Sequence, residues 1–360
     1  MSQNEDVEIF IQINRRVHMK HVKAIGIDLA KNIFQLHGVD AAGKQVFSKR
    51  LKRSELSAFM AQHPACEVGL EACTGAHYWS RKFTEMGHTV KMMSPQFVKP
   101  YVKSNKNDRN DARAIAEAMS RPDMKYVPIK SIEQQDILLL HRARALLIKQ
   151  RTALSNQIRG LLAEFGVILP KGLTYIRNEM AGILEDAGNE LTTRGRAVFN
   201  RLHEQFKELD KEIAVYDKEI KVFTQQDERC QRLLKIEGIG AISASAIVAT
   251  VGDAKVFKCG RELAAWLGLV PKQNSSGNKI RLQGISKRGD RYVRTLLIHG
   301  ARSVVKVSGN KTDTRSCWVM DKKTRGGHNK AAVALANKNA RIIWSLLANN
   351  EDYRQAKVAA

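Results

Sequence analysis

The sequence is poor in cysteine, and the spacing of its few cysteines excludes two kinds of stabilised fold. Five occur in 360 residues, namely Cys66, Cys73, Cys230, Cys259 and Cys317. The number is odd and no two form a CxxC pair, so neither a disulfide framework nor a zinc knuckle is indicated. We expect buried thiols in a reducing cytosol.

Long apolar runs are missing as well. No stretch approaches the roughly 18 to 20 residues that a membrane-spanning helix requires. Glu5 and Asp6 precede any basic cluster, which is not the layout of a secretory signal. The sequence therefore predicts a cytoplasmic protein.

Acidic residues are scarce relative to basic ones. The chain has 36 Asp and Glu against 60 Lys and Arg, a formal net charge of +24. Basic surface gains binding free energy by neutralising phosphates, so a nucleic-acid partner is expected. The alternative is a merely soluble basic protein. The length suits two or three domains, because it is too great for one small core.

Residues 21–130 alternate between strand-like and helix-like segments, after a lead at 1–20 without clear periodicity. We expect that lead to be disordered, with Met19 as an alternative start. Strands are predicted in KAIGIDLA, NIFQLHGVD, KQVFSKRL, CEVGLEA and HTVKMM, and helices near 54–62, 77–86 and 108–121. Three hairpin strands followed by alternating helices and strands is the order of an RNase H-like α/β domain.

Residues 131–228 are predicted to form long helices with apolar seams. Leucines recur at every seventh position, at Leu140, Leu147, Leu154 and Leu161. Spacings of four and three alternate in a later seam of Leu202, Phe206, Leu209, Ile213, Tyr216, Ile220 and Phe223. Gly166 and Pro170 separate the two stretches, which favours an antiparallel helical hairpin. The seams could also join two chains or pack only within one, and the pattern leaves this open.

Residues 229–350 open with two short helical segments joined by Gly238, Ile239 and Gly240. This arrangement fits a helix-hairpin-helix, in which glycines let backbone amides approach a phosphate. Glycine hairpins also serve as plain packing devices. A helix in RELAAWLGL, a loop in VPKQNSSGNK, a short strand in IRLQG and a basic helix from about Gly289 are predicted to follow.

Four acidic residues are candidate metal ligands. Asp28 and Glu71 each close an apolar strand, where a carboxylate is costly unless it meets a cation. Asp108 and Asp111 share one face at the start of a helix. Oxygen ligands without His or Cys favour Mg²⁺ or Mn²⁺, and two such ions can hold the attacking and leaving oxygens of a phosphoryl transfer. Ordinary turn and helix-cap roles are the alternative.

A serine loop and a basic helix are candidate contacts for phosphates. Ser276 stands beside Gly277, and nearby cations could steady a phosphate that the serine attacks, although such a loop also marks a plain turn. Downstream basic residues are opposed only by Asp290, and three of them could form a stripe on one helix face. A solvated face is the alternative. The basic candidates are Lys272, Lys279, Arg281, Lys287 and Arg288, with Arg291, Arg294 and Arg302 as the stripe.

Six segments together resemble the DEDD transposases of the insertion-sequence one-ten family, in particular its eleven-eleven subgroup. They are GIDLAKN, GLEACTGAHYW, KNDRNDARAIAEA, IEGIG, LAAWLGLVPKQNSSGNKIRLQGISKRGDRYVRTLLIHGAR and ALANKNARIIW. The resemblance implies a RuvC-like (RNase H-like) catalytic domain, a coiled-coil linker and a mainly helical C-terminal transposase domain. The family's four acids fall on Asp28, Glu71, Asp108 and Asp111, and its catalytic serine on Ser276, with Ser275 as the adjacent alternative.

The same resemblance implies a mechanism and partners. A structured bridge RNA would pair with donor and target DNA, and the metal site of one subunit would act with the serine of another. A covalent phosphoserine link and strand exchange would follow, in a dimer or a tetramer at the bacterial nucleoid. The residues alone leave two rivals open: a metal-dependent nuclease that uses water, and a non-catalytic nucleic-acid-binding protein with structural acids.

Overall fold

The computed structural model describes residues 22–103, 107–277 and 279–354. The predicted disordered lead and Met19 lie outside these ranges. The chain divides into two compact units, with the division between Ser131 and Ile132.

The first unit is built on a five-stranded mixed sheet. Its strands are β1 (Ala24–Asp28), β2 (Ile33–Val39), β3 (Gln45–Lys52), β4 (Glu67–Glu71) and β5 (Thr89–Met93), in the spatial order β3-β2-β1-β4-β5. β2 runs antiparallel to β1 and β3, whereas β1, β4 and β5 are parallel. Its helices are α1 (Arg53–Ala61), α2 (Ala76–Glu85), α3 (Pro95–Val98) and α4 (Asp108–Met119). The predicted mixed α/β class is confirmed, and the strand order is consistent with an RNase H-like domain.

Alternation along β1 separates two cores. Ile25 and Ile27 are fully buried in a cluster that includes Leu56 of α1 and Phe83 of α2. Ala24 points the other way, into a cluster with Ile115 of α4. Successive strand residues face opposite sides of a sheet, so helices cover both faces. The sheet is thereby fixed between two helical layers.

The second unit is mainly helical. Its helices are α5 (Ile132–Ala163), α6 (Leu173–Glu185), α7 (Thr193–Gln226), α8 (Glu228–Leu234), α9 (Ala241–Val251), α10 (Gly260–Trp266), α11 (Arg291–Val307), α12 (Thr314–Gly326) and α13 (His328–Asn349). Between α10 and α11 along the chain lies a two-stranded antiparallel hairpin of β6 (Pro271–Gln273) and β7 (Leu282–Ile285). β6 lies in a stretch that the sequence predicted as loop. In the ranges described, no helix combines the length and apolar character that crossing a membrane requires.

The long helices α5 and α7 are antiparallel. Arg144 of α5 pairs with Asp217 of α7, and one heptad further along α5, Arg151 pairs with Asp210, one heptad earlier in α7. Three members of the predicted α7 seam, Phe206, Ile213 and Ile220, are buried within the single chain. On α5, Leu154 is buried but Leu161 is 40% exposed. The later seam therefore packs largely inside this chain.

Candidate functional site

Asp28 and Glu71 lie side by side at one edge of the sheet. Ile27 of β1 is in register with Leu70 of β4, and these parallel strands end at the next residue, Asp28 and Glu71 respectively. Both acids are half-buried. Each follows by two residues a glycine that faces α4, so both lie on the α4 side of the sheet.

Helix α4 rests directly on two strand glycines. A Cβ built on Gly26 would lie 2.4 Å from the Ala112 carbonyl oxygen, and one on Gly69 would lie 3.1 Å from Ile115 Cγ2. Ala118, later in α4, shares a cluster with Ala24 at the start of β1. The helix thus runs against the direction of β1, and its first turn is directed towards the Asp28 end of the strand.

The first turn of α4 carries Asp108 and Asp111, but neither caps the helix. The cap is Asn107, whose side-chain oxygen accepts a hydrogen bond of 2.8 Å from the Asn110 backbone N–H. The side chains of the two aspartates therefore do not cap the helix, and the favourable effect of their charge is what remains of the ordinary alternative. Asp108 is exposed and Asp111 half-buried, and their negative charges are favourable at a helix N-terminus.

The charges of Asp28 and Glu71 act on one neighbouring group. Desolvation raises the pKa of the Cys73 thiol, and the negative charges of Glu71 and Asp28 raise that pKa further. Across the described ranges, however, no three acidic, His or Cys side chains come close enough to hold one metal ion together. The strand register places Asp28 beside Glu71, and the first turn of α4 is directed towards them, but the four carboxylates do not form a ligand set.

The end of the sheet at Asp28 and Glu71, called the acid edge below, nevertheless has the chemistry of a magnesium site. Mg²⁺ takes oxygen ligands, and proteins usually bind it through one or two carboxylates, with water and substrate phosphate completing the shell. The neighbouring Asp28 and Glu71 could supply such a pair. This donor set fits Mg²⁺ or Mn²⁺ better than a soft metal.

The serine motif lies at the tip of the β6–β7 hairpin. Ser276 forms a backbone bridge with Lys279, and Gly277 has a φ of 54° with open space where a side chain would be. Ser275 Oγ accepts hydrogen bonds from Gln273 Nε2 at 3.1 Å and from the Arg281 N–H at 3.2 Å. Ser275 therefore stabilises the hairpin, and Ser276 is exposed beside it.

Most of the predicted basic contacts are exposed, but Arg294 is not. The exposed ones are Lys272, Lys279, Arg281, Lys287, Arg288, Arg291 and Arg302. Arg294 is 7% exposed, and its Nη1 donates to the carbonyl oxygens of Leu267 at 3.0 Å and Arg288 at 2.8 Å. The predicted stripe is wrong at this position, because the side chain is used to hold the turn before α11 against the end of α10.

The two glycines of the predicted helix-hairpin-helix differ. Gly238 has a φ of 87°, and a Cβ there would lie 2.8 Å from the Gly300 carbonyl oxygen, so it packs against α11. Gly240 is exposed, has open space around it and immediately precedes α9. The packing alternative holds at Gly238, whereas Gly240 leaves the start of α9 accessible.

Comparison with known proteins decides the family. The signature described as "Transposase IS116/IS110/IS902 family" matches residues 230–316, and the signature DEDD_Tnp_IS110, described as "Transposase", matches residues 25–166. A "Probable family 20 transposase" of Pseudomonas aeruginosa is 49% identical over 93% of this chain and 99% of its own length. The chain belongs to the IS116/IS110/IS902 transposase family.

Other members of this transposase family are similar over nearly the whole chain. The "Transposase for insertion sequence element IS1111A" of Coxiella burnetii is 48% identical, covering 94% of this chain and 93% of that protein. The IS1328 transposase of Yersinia enterocolitica is 42% identical, covering 91% and 97%. The resemblance to the one-ten family is confirmed. The protein is a DNA-processing enzyme with DNA as its substrate.

Sequence reasoning about this transposase missed several supporting residues. Gly26 and Gly69 carried a readable signal, because a glycine inside an apolar strand marks close approach of another backbone. Asn107, directly before a helical segment, was a readable cap. The roles of Ser275 and Arg294 had no local signal, since each depends on partners brought near by folding.

Proposed function

We propose that this transposase cuts and rejoins the strands of its insertion sequence with a divalent-metal site at the acid edge and Ser276 as nucleophile. Asp28, Glu71, Asp108 and Asp111 would hold Mg²⁺ or Mn²⁺. The carrying observation is that Asp28 and Glu71 end adjacent parallel strands on the face over which α4 begins. When bound, the metal would stabilise charge on the phosphate under attack.

The serine step breaks one bond and forms one. Ser276 Oγ loses its proton and bonds to phosphorus, while the bond from phosphorus to the leaving sugar oxygen breaks and that oxygen is protonated. The phosphoserine link conserves the energy of the broken phosphodiester for rejoining. Ser276 is favoured over Ser275 because the Ser275 hydroxyl already accepts two hydrogen bonds within the hairpin.

The exposed basic residues of the second unit would bind the nucleic-acid backbone. Lys272, Lys279 and Arg281 flank the serine, and Lys287, Arg288, Arg291 and Arg302 follow around the start and body of α11. Gly240 would let a phosphate approach the N-terminus of α9, as in a helix-hairpin-helix. We include in the proposal a structured guide RNA and a dimer or tetramer, both of which rest on the family resemblance.

The metal site is tested by measuring DNA strand cleavage by the Asp28→Asn variant. The substitution keeps shape and removes the charge that would hold the cation, so cleavage of a plasmid carrying the element's ends should fall by at least about 100-fold. Binding of the same DNA in EDTA should be nearly unchanged. Full cleavage by this variant would reject the metal site and favour a protein whose acids are structural.

A covalent adduct tests the serine. Denaturing gels should show a protein–DNA adduct with the wild type and with Ser275→Ala, but none with Ser276→Ala. A Ser276→Ala protein that still cleaves would indicate a nuclease that uses water, and loss only in Ser275→Ala would move the nucleophile by one residue.

The guide RNA has its own test. RNA that co-purifies with the full chain should be one discrete species with segments complementary to both insertion junctions. A heterogeneous pool would remove the guided step from the proposal and leave the metal and serine steps standing.

A further inference from the structure

A cavity in the second unit lies apart from the serine hairpin in sequence. Its volume is ≈ 470 Å³, and it is lined by the start of α12, the later turns of α13 and residues 351–354. Trp318, Ile342, Leu346 and Tyr353 supply apolar wall. The volume falls in the ~300–1,000 Å³ range of pockets that hold small molecules.

Three basic residues line this cavity, namely Arg315, Lys338 and Arg354. The Lys338 ammonium stands 4.4 Å from the centre of the Trp318 ring. Arg315 donates to the Tyr353 hydroxyl at 3.0 Å and to Asn339 Oδ1 at 2.6 Å, while its buried Nε has no hydrogen-bond partner among the described residues. Desolvation lowers the pKa of Lys338, and the positive charges of Arg315 and Arg341 lower it further. A bound anion would therefore stabilise the charged form of Lys338.

Among the described residues, none of the acids at the rim forms an ion pair with these cations. Asp313 caps α12 by accepting from the backbone N–H groups of Arg315 and Ser316 at 3.1 and 3.0 Å. Asp352 forms an ion pair of 2.8 Å with Lys235. Glu351 is exposed, where water and salt screen its charge. A ligand that combines a negative charge with an apolar body would complement the basic side chains and the apolar wall of this cavity.

We propose that this cavity receives one unstacked nucleotide from a single-stranded segment of nucleic acid. The base would pack against Trp318 and the neighbouring aliphatic wall, and its phosphate would be held by Lys338, with further attraction from the positive charge of Arg315. Aromatic stacking and basic side chains are the two means by which proteins hold single strands. This site needs neither the proposed metal nor Ser276.

Arg315 also connects the cavity to the glycine turn. Its Nη2 donates to the Glu237 carbonyl oxygen at 3.2 Å, one residue before Gly238, and Asn339 Nδ2 donates to the same oxygen. A nucleotide bound beside Arg315 would therefore lie near the turn that precedes α9.

Photo-crosslinking in EDTA tests the site without strand cleavage. Full-length protein is irradiated with single-stranded 20-mers of DNA and of RNA that carry 5-iodouracil, and crosslinked peptides are mapped by mass spectrometry. Crosslinks at Trp318 or Tyr353 are expected. Such crosslinks with DNA, with RNA or with both would support the site and identify the kind of strand it takes. Absence of any crosslink within 313–354 with both nucleic acids would overturn the proposal.

Binding by matched variants provides the second readout. Trp318→Leu should weaken binding of the same 20-mers about 5- to 150-fold, from a stacking contribution of ~1–3 kcal/mol, and Trp318→Phe should restore most of it. Lys338→Met should lower the affinity and should reduce the slope of log affinity against log salt concentration by about one. Lys330, exposed on the same helix, is the matched control, and Lys330→Met should leave crosslinking at the cavity unchanged.

The variants remain informative if one is unstable. Should Trp318→Leu fail to fold, as judged by its melting temperature, Trp318→Phe and Lys338→Met still decide the matter. A folded Trp318→Leu or Lys338→Met protein with wild-type affinity and crosslinking would overturn the proposal. Because metal and Ser276 play no part in these measurements, their result is separable from that of the proposed function.

Discussion

The acid edge of the first unit and the serine hairpin of the second are supported in opposite ways. Asp28 and Glu71 directly follow Ile27 and Leu70, both fully buried, and α4 presses on the glycine two residues before Asp28. Every described residue from Pro271 to Gly284 is exposed. The turn that follows this hairpin is held by the buried side chain of Arg294.

This contrast separates two ways of positioning a reactive group. Carboxylates that share an ion must keep fixed distances, and strand register with close helix packing provides them. A nucleophile on an exposed hairpin can reach a bound strand with little cost in core packing. We expect substitutions that disturb packing to be costly at the first site and mild at the second.

The largest effect is expected for Gly26→Ala. The new Cβ would lie 2.4 Å from the Ala112 carbonyl oxygen, so α4 must shift away from β1. We expect a loss of about 3 kcal/mol in the free energy of unfolding, measured by urea denaturation. The matched control is Gly284→Ala in β7, which meets open space and should change stability by less than about 0.5 kcal/mol. Equal losses of stability in the two variants would contradict the proposed difference between the two sites.

A pH-dependent effect on stability is expected from His141 of α5, which is buried against α9 and α11. Its ring nitrogens bond Tyr292 Oη at 3.1 Å and Ser245 Oγ at 3.0 Å, and burial, with the charge of Arg144, lowers its pKa to about 4. Below its usual value of about 6.5, the unfolded chain binds a proton that the folded chain does not. Stability should therefore be complete above that pH and fall as the pH drops towards 4.

The measurement is the free energy of unfolding at pH 7.5 and at pH 4.5. His141 should account for a loss on the order of 2 kcal/mol at the lower pH. His141→Gln should show a shallower pH dependence than the wild type, whereas the exposed His328→Gln is the matched control and should keep the wild-type dependence. Identical slopes for wild type and His141→Gln would count against the assignment.

Arg294→Met probes the root of the hairpin. The substitution keeps an apolar stem but removes the donor to the Leu267 and Arg288 carbonyl oxygens. A loss of about 2 kcal/mol is expected in urea denaturation, because hydrogen bonds from a charged donor are lost in a buried setting. Arg291→Met, exposed one turn earlier in the chain, should cost under about 0.5 kcal/mol. If Arg294→Met leaves the free energy of unfolding unchanged, the turn does not depend on this side chain.

Ser275→Ala should have the smallest effect. It removes the acceptor for Gln273 Nε2 and the Arg281 N–H in a solvent-exposed hairpin, a contribution of about 0.5 kcal/mol. Amide hydrogen exchange at Arg281 should quicken about two- to threefold, and Ser276→Ala should leave that rate unchanged. The reverse result would exchange the roles assigned to the two serines.

Much of the first unit could be predicted because its signals are local. The segments around Asp28, Glu71 and Asp108 alternate or repeat with the period of their own element, and the predicted strands and helices match the observed ones closely. The β6 strand was missed because its three residues, beginning with Pro271, have no alternating pattern of burial. The convergence of Asp28 with Glu71 also needed only the pairing of neighbouring strands.

Periodicity, strand ends and capping residues in the chain were enough to place the acids, the basic surface and the serine motif on their elements. Which serine is engaged, that Arg294 turns inward, and that Trp318, Arg315 and Lys338 enclose one cavity depended on folding. Each of these requires partners separated along the chain, and a side chain's burial is set by the carbonyls and rings that tertiary packing places around it.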